Sequence, residues 1–250
     1  NSLSKKILLE GCGCDASKCA PMKNGFAVAR KYSNHVYVIT EDIATQQSVK
    51  QILIKRTQHL SPITAICTIG NVIYTGDEDG IIVNDVAFSP LYHKCPIVSI
   101  VGSSALSVIV SLSADGTIVV SNAYDLQFIR TIKPEMQVGF SPIKVVVCDG
   151  FGLISLLSIS KDKTKSLIQT FSINGQKVTS SLFNLNIKNF ISVVGTNNVD
   201  YLLVTADKGK IILYNAFELT LVNTAFENDQ NISAIASFKD NNSQIYFGSN

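Results

Sequence analysis

VIYTGDEDGIIVNDV (residues 72–86), VIVSLSADGTIVVSNA (108–123) and LLVTADKGKIILYNAF (202–217) are three versions of one phrase. Each opens with a short β-rich run, turns on an acid and a glycine, and closes with a second β-rich run ending in Asp or Asn. The turn chemistry makes each a β-hairpin. The hairpin glycines Gly80, Gly116 and Gly209 are 36 and 93 residues apart. Because the longer interval is roughly twice 46, a further unit belongs between the last two. GFGLISLLSISKDKTKSLIQTFSING (150–175) fills it, with the longer and more basic turn KDKTK.

The strands around the hairpins repeat as well. Before them come SPITAICTIG (61–70), PIVSIVGSSAL (96–106), ISVVGTNN (191–198) and NISAIASFKD (231–240), and after them LQFIRTIK (126–133) and LTLVNTAF (219–226). Four strands per unit at a period of roughly 40 to 45 residues predict an all-β fold, a β-propeller of four-stranded blades. GFAVARKYSNHVYVIT with SVKQILIKR fits an earlier, divergent blade, and IYFGSN (245–250) repeats the first hairpin strand. The expectation is one propeller over 1–250, about five to six blades, with the chain ending inside a repeat.

Composition agrees. Of 250 residues 46% are hydrophobic and 16% charged, Ile and Val make up about a fifth, and Trp is absent. That excess of β-branched residues disfavours long helices and excludes disorder. The net charge of +2 excludes the electrostatic footprint of a nucleic-acid binder. No stretch of signal-peptide character occupies the first 25 residues, and the six cysteines (12, 14, 19, 67, 95 and 148) suit a reducing, cytoplasmic compartment. The sequons at Asn231 and Asn241 are then expected to be unused. The uncharged stretch 96–114 reads as two buried strands around a serine-containing turn rather than a membrane helix.

The phrase resembles the WD repeat. Asp79 and Asp115, each just before its glycine, and Asp207, two before Gly209, resemble the structural acid of that repeat. Asn84-Asp85, Ser121-Asn122 and Tyr214-Asn215 stand where the family has Trp-Asp, so that Asp85, Asn122 and Asn215 take the final place. His59, in TQHLSPIT, resembles the family's structural His, which the resemblance implies is bonded to the turn Asp. The order GLISLLSIS, TFSINGQKV (170–178), LVTADKGKIILYNAFEL and ISAIASF is similar to the C-terminal propeller of BEACH-domain proteins of the beige and neurobeachin type, which carries an FSINGK motif. That likeness covers the chain from about His59 onward. It implies upstream PH-like and BEACH domains, a non-catalytic scaffold in vesicle and membrane trafficking, protein partners on the propeller faces, and peripheral membrane association through the full-length protein.

Other motifs in the chain have simpler readings than the chemistry they suggest. ILLEGCGCDAS (7–17) has G-x-G-x-x-A spacing at Gly11, Gly13 and Ala16, with Glu41-Asp42 about 30 residues on. A dinucleotide site also needs a helix at once after the glycines, and Pro21, Asn24 and Gly25 break the available segment. Cys12, Cys14 and Cys19 lack a fourth zinc ligand, the nearest His being His35. His35, His59 and His93 fall on different units and no G-x-S-x-G occurs, so a nucleophilic triad has no local support. Asp77, Glu78 and Asp79 share one tight turn, whereas a glycosidase sets its acids across a cleft. Lys161, Lys163 and Lys165 form a basic hairpin tip that could touch acidic lipid or an acidic partner. The expectation is no catalytic, cofactor or metal site, with a generic WD-repeat scaffold of another complex, or a propeller hydrolase using acids at the channel mouth, as the alternative.

Overall fold

The computed structural model describes residues 16–22, 25–30, 32–41, 50–89, 91–195, 199–226, 232–237 and 245–249. Among these residues six antiparallel sheets follow one another along the chain. The first holds β1 (Ala16–Met22), β2 (Gly25–Arg30), β3 (His35–Glu41) and β4 (Lys50–Arg56); the second holds β5 (Ile63–Ile69), β6 (Val72–Asp77) and β7 (Ile82–Val83). The third holds β8 (Ile97–Ser103), β9 (Val108–Ser113), β10 (Ile118–Asn122) and β11 (Phe128–Ile132), and the fourth β12 (Phe140–Cys148), β13 (Leu153–Ser160), β14 (Ser166–Ser172) and β15 (Lys177–Phe183). The fifth comprises β16 (Ile187–Val194), β17 (Asp200–Ala206), β18 (Ile211–Asn215) and β19 (Leu221–Phe226), and the sixth β20 (Ile232–Ser237) and β21 (Ile245–Ser249). Among the described residues the only helical piece is a single 3-10 turn, Asp207–Gly209. Residues 96–114 form β8, a turn and β9, as their serines require.

Apolar side chains on both faces of each sheet explain the even spread of β-branched residues. Each of five buried clusters lies between consecutive sheets. Ala27 and Val36 meet Ile63 and Ile73; Tyr74 and Ile82 meet Ile97 and Ile109; and Val110 and Val120 meet Val145 and Ile154. Further on, Leu157 and Ile168 meet Phe190 and Val204, and Leu203 and Ile211 meet Ile232. The molecule therefore has a serial core, renewed at every sheet boundary, rather than one centre.

The first strands pack side by side in the order β1, β5, β8, β12, β16, β20. Hydroxyls tie them: Thr68 donates to Pro21 O, Thr64 to Ile97 O, and Ser192 to Val147 O, while Ser99 Oγ accepts from Val145 N. Every first strand also carries a bulge near its start, at Ala16/Lys18, Ile63/Ala65, Ile97/Ser99, Pro142/Lys144, Ile187/Asn189 and Ile232/Ala234. A repeated bulge bends each strand alike and strengthens its twist. This all-β arrangement is consistent with a bladed, propeller-like fold; no closed ring is seen among the described residues.

The second sheet departs from the predicted four strands. Asn84 Oδ1 accepts from Val86 N and Ala87 N, turning the chain early. Ser89 then closes the hairpin, its N donating to Ile82 O and its Oγ accepting from Ile82 N. Only the bridge Val83 to Phe88 remains of a fourth strand. The second sheet also lies close against the third. A Cβ on Gly76 would meet Ile97 Cγ2 at 2.7 Å, and one on Gly102 would strike Ile69.

Candidate functional site

The most highly organised polar cluster is built where the second sheet's hairpin meets the segment leading into β5. His59 Nδ1 donates to Asp77 Oδ2 at 2.7 Å, and His59 Nε2 lies 2.8 Å from Thr75 Oγ1. Both side chains of the His–Asp pair are fully buried. Asp77 Oδ1 further accepts from Asp79 N at 3.0 Å and Ile81 N at 2.8 Å. The carboxylate thus fixes the hairpin turn and the incoming segment together.

This corrects the sequence reading of the structural acid. Asp77, the last residue of β6, bonds His59; Asp79 is exposed and accepts only from Ser61 Oγ among the bonds found for its side chain. The turn puts Asp77 at the hairpin base facing inward, while Asp79 sits on the tip. Gly80 serves as expected, with φ at +83° and a would-be Cβ only 2.8 Å from His93 O.

The third sheet holds the same arrangement in weaker form. His93 Nε2 lies 2.7 Å from Ser111 Oγ, which donates to Val119 O. Where Asp77 would stand there is Ser113, and its hydroxyl donates to Asp115. Asp115 also accepts from Thr117 N at 2.9 Å, so it caps the turn as predicted without reaching the His. His93 Nδ1 is buried without a partner. Burial pushes the imidazole down to about 4, against a smaller upward pull from Asp115. The signal that could have paired the two histidines is in the sequence: His59-Leu-Ser-Pro-Ile and His93-Lys-Cys-Pro-Ile are the same phrase.

In outline, Thr75, His59 and Asp77 match a hydroxyl, base and acid. Yet Thr75 is 2% exposed and His59 is also 2% exposed, so no substrate carbonyl can approach the hydroxyl. A nucleophile needs an accessible reacting atom and donors for the developing oxyanion. The cluster works as a structural clasp.

The other repeat residues divide. Asn122 Oδ1 accepts from Tyr124 N at 2.8 Å and Asn215 Oδ1 from Phe217 N at 2.9 Å, each turning the chain after the hairpin. In the second sheet Asn84 has that role, and Asp85 is displaced by one residue to an exposed ion pair with Lys55. Gly116 and Gly209 both take positive φ. Asp207 does not brace its turn as Asp115 does; it stands one residue earlier relative to the strand end and pairs with Lys188 at 2.9 Å.

Lys161, Lys163 and Lys165 are exposed on the tip between β13 and β14. They share it with Asp162, which hydrogen bonds from Ser160 Oγ, then Thr164 N and Thr164 Oγ1, hold down to about 2. The tip therefore carries an ionised carboxylate among its lysines. Cys12, Cys14, Gly11, Gly13, Asp42, Asn231 and Asn241 lie outside the described residues. Cys19 is an exposed free thiol, and no cluster of three metal-ligating side chains occurs among the described residues. β1 begins at Ala16, where a dinucleotide-binding helix would have to start. No helix among the described residues is long and apolar enough to cross a membrane.

Two surface features flank the shortened second sheet. A cleft of about 90 Å³ opens against the first sheet, lined by Val36, Lys55, Thr57, Ile73, Asn84 and Asp85. Toward the third sheet, Val86, Phe88, Leu91, Tyr124, Phe128 and Ile129 are exposed. Tyr92 joins the two segments: its ring lies 5.4 Å from that of Phe128, and its hydroxyl accepts from Phe128 N. Asn84 Nδ2 adds a bond to Tyr124 O at 3.0 Å. The missing strand has left an apolar margin fixed to two sheets.

No family model and no curated protein matches this chain. Among solved structures, it is similar to the crystal structure of the computationally designed Ika8 protein, at 21% identity and a TM-score of 0.61, over 92% of this chain and 70% of that one. At that identity the likeness concerns the fold alone.

Proposed function

We propose that this chain is a WD-repeat-like β-propeller from a BEACH-type protein, serving as a non-catalytic scaffold that docks protein partners in cytoplasmic membrane trafficking. The observation that carries the docking role is the apolar margin formed by Val86, Phe88, Leu91, Tyr124 and Phe128. Contiguous exposed apolar surface of this kind marks interaction sites, and aromatic side chains are favoured anchors. Its mounting on two tightly packed sheets supplies the rigidity that lowers the ordering cost of binding.

The WD reading draws support from the repeated His–hydroxyl pairs at 59/75 and 93/111 and from the Asn-braced turns at 84, 122 and 215. The BEACH reading draws support from TFSINGQKV, which spans the turn from β14 into β15. Peripheral membrane association would belong to the full-length protein.

Two measurements test the proposal. The coding sequence upstream of Asn1 should contain a BEACH domain; an unrelated domain there removes the family assignment. For docking, proteins captured on the chain from a vesicle-rich cytosolic fraction should be lost with Phe88→Asp plus Phe128→Asp and kept with Lys163→Ala. Equal capture by both variants overturns the assignment of docking to this margin.

A further inference from the structure

Along β6 the backbone groups that face β7 belong to alternate residues, Asp77, Thr75 and Ile73. Asp77 N donates to Ile81 O at 3.1 Å, and Thr75 lies opposite Val83. By the same register Ile73 would meet Asp85, as its counterpart Ile109 in the third sheet meets Ser121. That pair never forms, because Asn84 N donates to Ala87 O and the chain turns away after Val83. The N–H and C=O of Ile73 on this edge have no hydrogen-bond partner among the described residues, although Ile73 is only 5% exposed. Buried main-chain groups are nearly always paired, so two orphans on one residue mark a place where a partner fits.

The cleft between the first two sheets opens at this point. Ile73 and Val83 of the second sheet line it together with Val36 and Lys55 of the first. Other polar groups along it are already engaged: the Asn84 side chain bonds Val86 N and Tyr124 O, and Thr57 Oγ1 donates to Asn34 O. Lys55 and Asp85 join the two sheets in a partly exposed ion pair. Such a pair contributes little and exchanges readily with other charges.

We propose that this cleft binds an extended peptide segment by strand addition, one residue of the peptide taking the place opposite Ile73 that Asp85 leaves open. Two main-chain hydrogen bonds to Ile73 would hold it, and the cleft would select its side chain. Directly paired residues project to one face, and Ile73 shares its apolar cluster with Val36. The side chain beside it is therefore apolar, and of modest size for a cleft of about 90 Å³. Peptide residues two places to either side lie on the same face, where an acid and a base would exchange with Lys55 and Asp85. The site is separate from the apolar margin toward the third sheet, and neither reading stands on the other.

The test is amide NMR of the folded chain titrated with two capped peptides of opposite charge order, acetyl-Glu-Ser-Val-Ser-Lys amide and acetyl-Lys-Ser-Val-Ser-Glu amide. Saturable movement of the Ile73 amide signal is expected, stronger with one order than the other. In the free chain that amide should exchange with solvent faster than the amide of Thr75, and saturating peptide should slow it. Replacing the peptide valine by N-methylvaline removes its donor and should weaken binding about tenfold or more. Lys55→Ala with Asp85→Ala should erase the difference between the charge orders, and Phe128→Asp should change nothing. No saturable movement at Ile73 with either peptide overturns the proposal, as does equal binding of the N-methylvaline peptide or movement confined to Phe88 and Phe128. A difference between the orders that persists in the double variant overturns the role given to the ion pair. If the double variant fails to fold by circular dichroism, the N-methylvaline comparison, made on the parent chain, still decides.

Discussion

The second and third sheets face the same problem with different residues. In the second, His59 reaches Asp77, and that one carboxylate also holds two backbone amides of the turn. In the third, the acid has moved two residues on to Asp115, which still braces the turn but leaves His93 Nδ1 alone. One acid performing two tasks couples the turn to the incoming segment; the same acid at the tip performs only one. The repeat has thus kept its shape in both sheets while losing the coupling in one.

The largest break in this comparison is expected from Asp77→Ala. It strands His59 in a fully buried site and frees the turn amides, so urea unfolding should show a loss of about 3 to 5 kcal/mol. Next is the acid response of the third sheet. The His93 pKa is depressed from 6.5 to about 4 in the folded chain. The unfolded chain therefore binds the extra proton first as pH falls. Stability conferred by a neutral His93 is complete above the unfolded value of 6.5 and is lost progressively down to about 4, by about 3 kcal/mol in all. Unfolding measured across that window should have a shallower acid limb in His93→Leu than in the parent; equal slopes would remove His93 as the cause.

Moving the acid back should make the third sheet resemble the second. Ser113→Asp combined with Asp115→Asn keeps the charge constant, and the imidazole titration of His93, followed by NMR, should rise toward or above neutrality. A stability gain of about 1 to 2 kcal/mol at pH 7 should accompany it. The smallest effect separates two residues that look alike in sequence. Asp79→Asn should change stability by less than about 0.5 kcal/mol, whereas Asp115→Asn should cost about 1 kcal/mol through its bonds to Ser113 and Thr117.

The hairpins were legible because a glycine with positive φ beside an acid leaves few alternatives, and Gly80, Gly116 and Gly209 all stand in such turns. The first strands were legible from alternating apolar runs. Choosing between Asp77 and Asp79 was not possible from spacing, because they are two residues apart and share strand parity; the strand end at Asp77 decides it. The truncated fourth strand of the second sheet was hidden for a similar reason. Residues 84–92 have strand-like content, but the side chains of Asn84 and Ser89 divert the backbone before β7 can lengthen.

The short second sheet also bears on how the molecule could be divided. Asp85 and Val86, at the turn that stands in place of a full fourth strand, are exposed, a setting in which chains tolerate nicking. A cut there would leave two fragments still joined by Thr64 to Ile97 O and by the close approach of Gly76 to Ile97. Two fragments divided at that turn are expected to reassemble when mixed, with the seam where the second sheet lacks a full fourth strand.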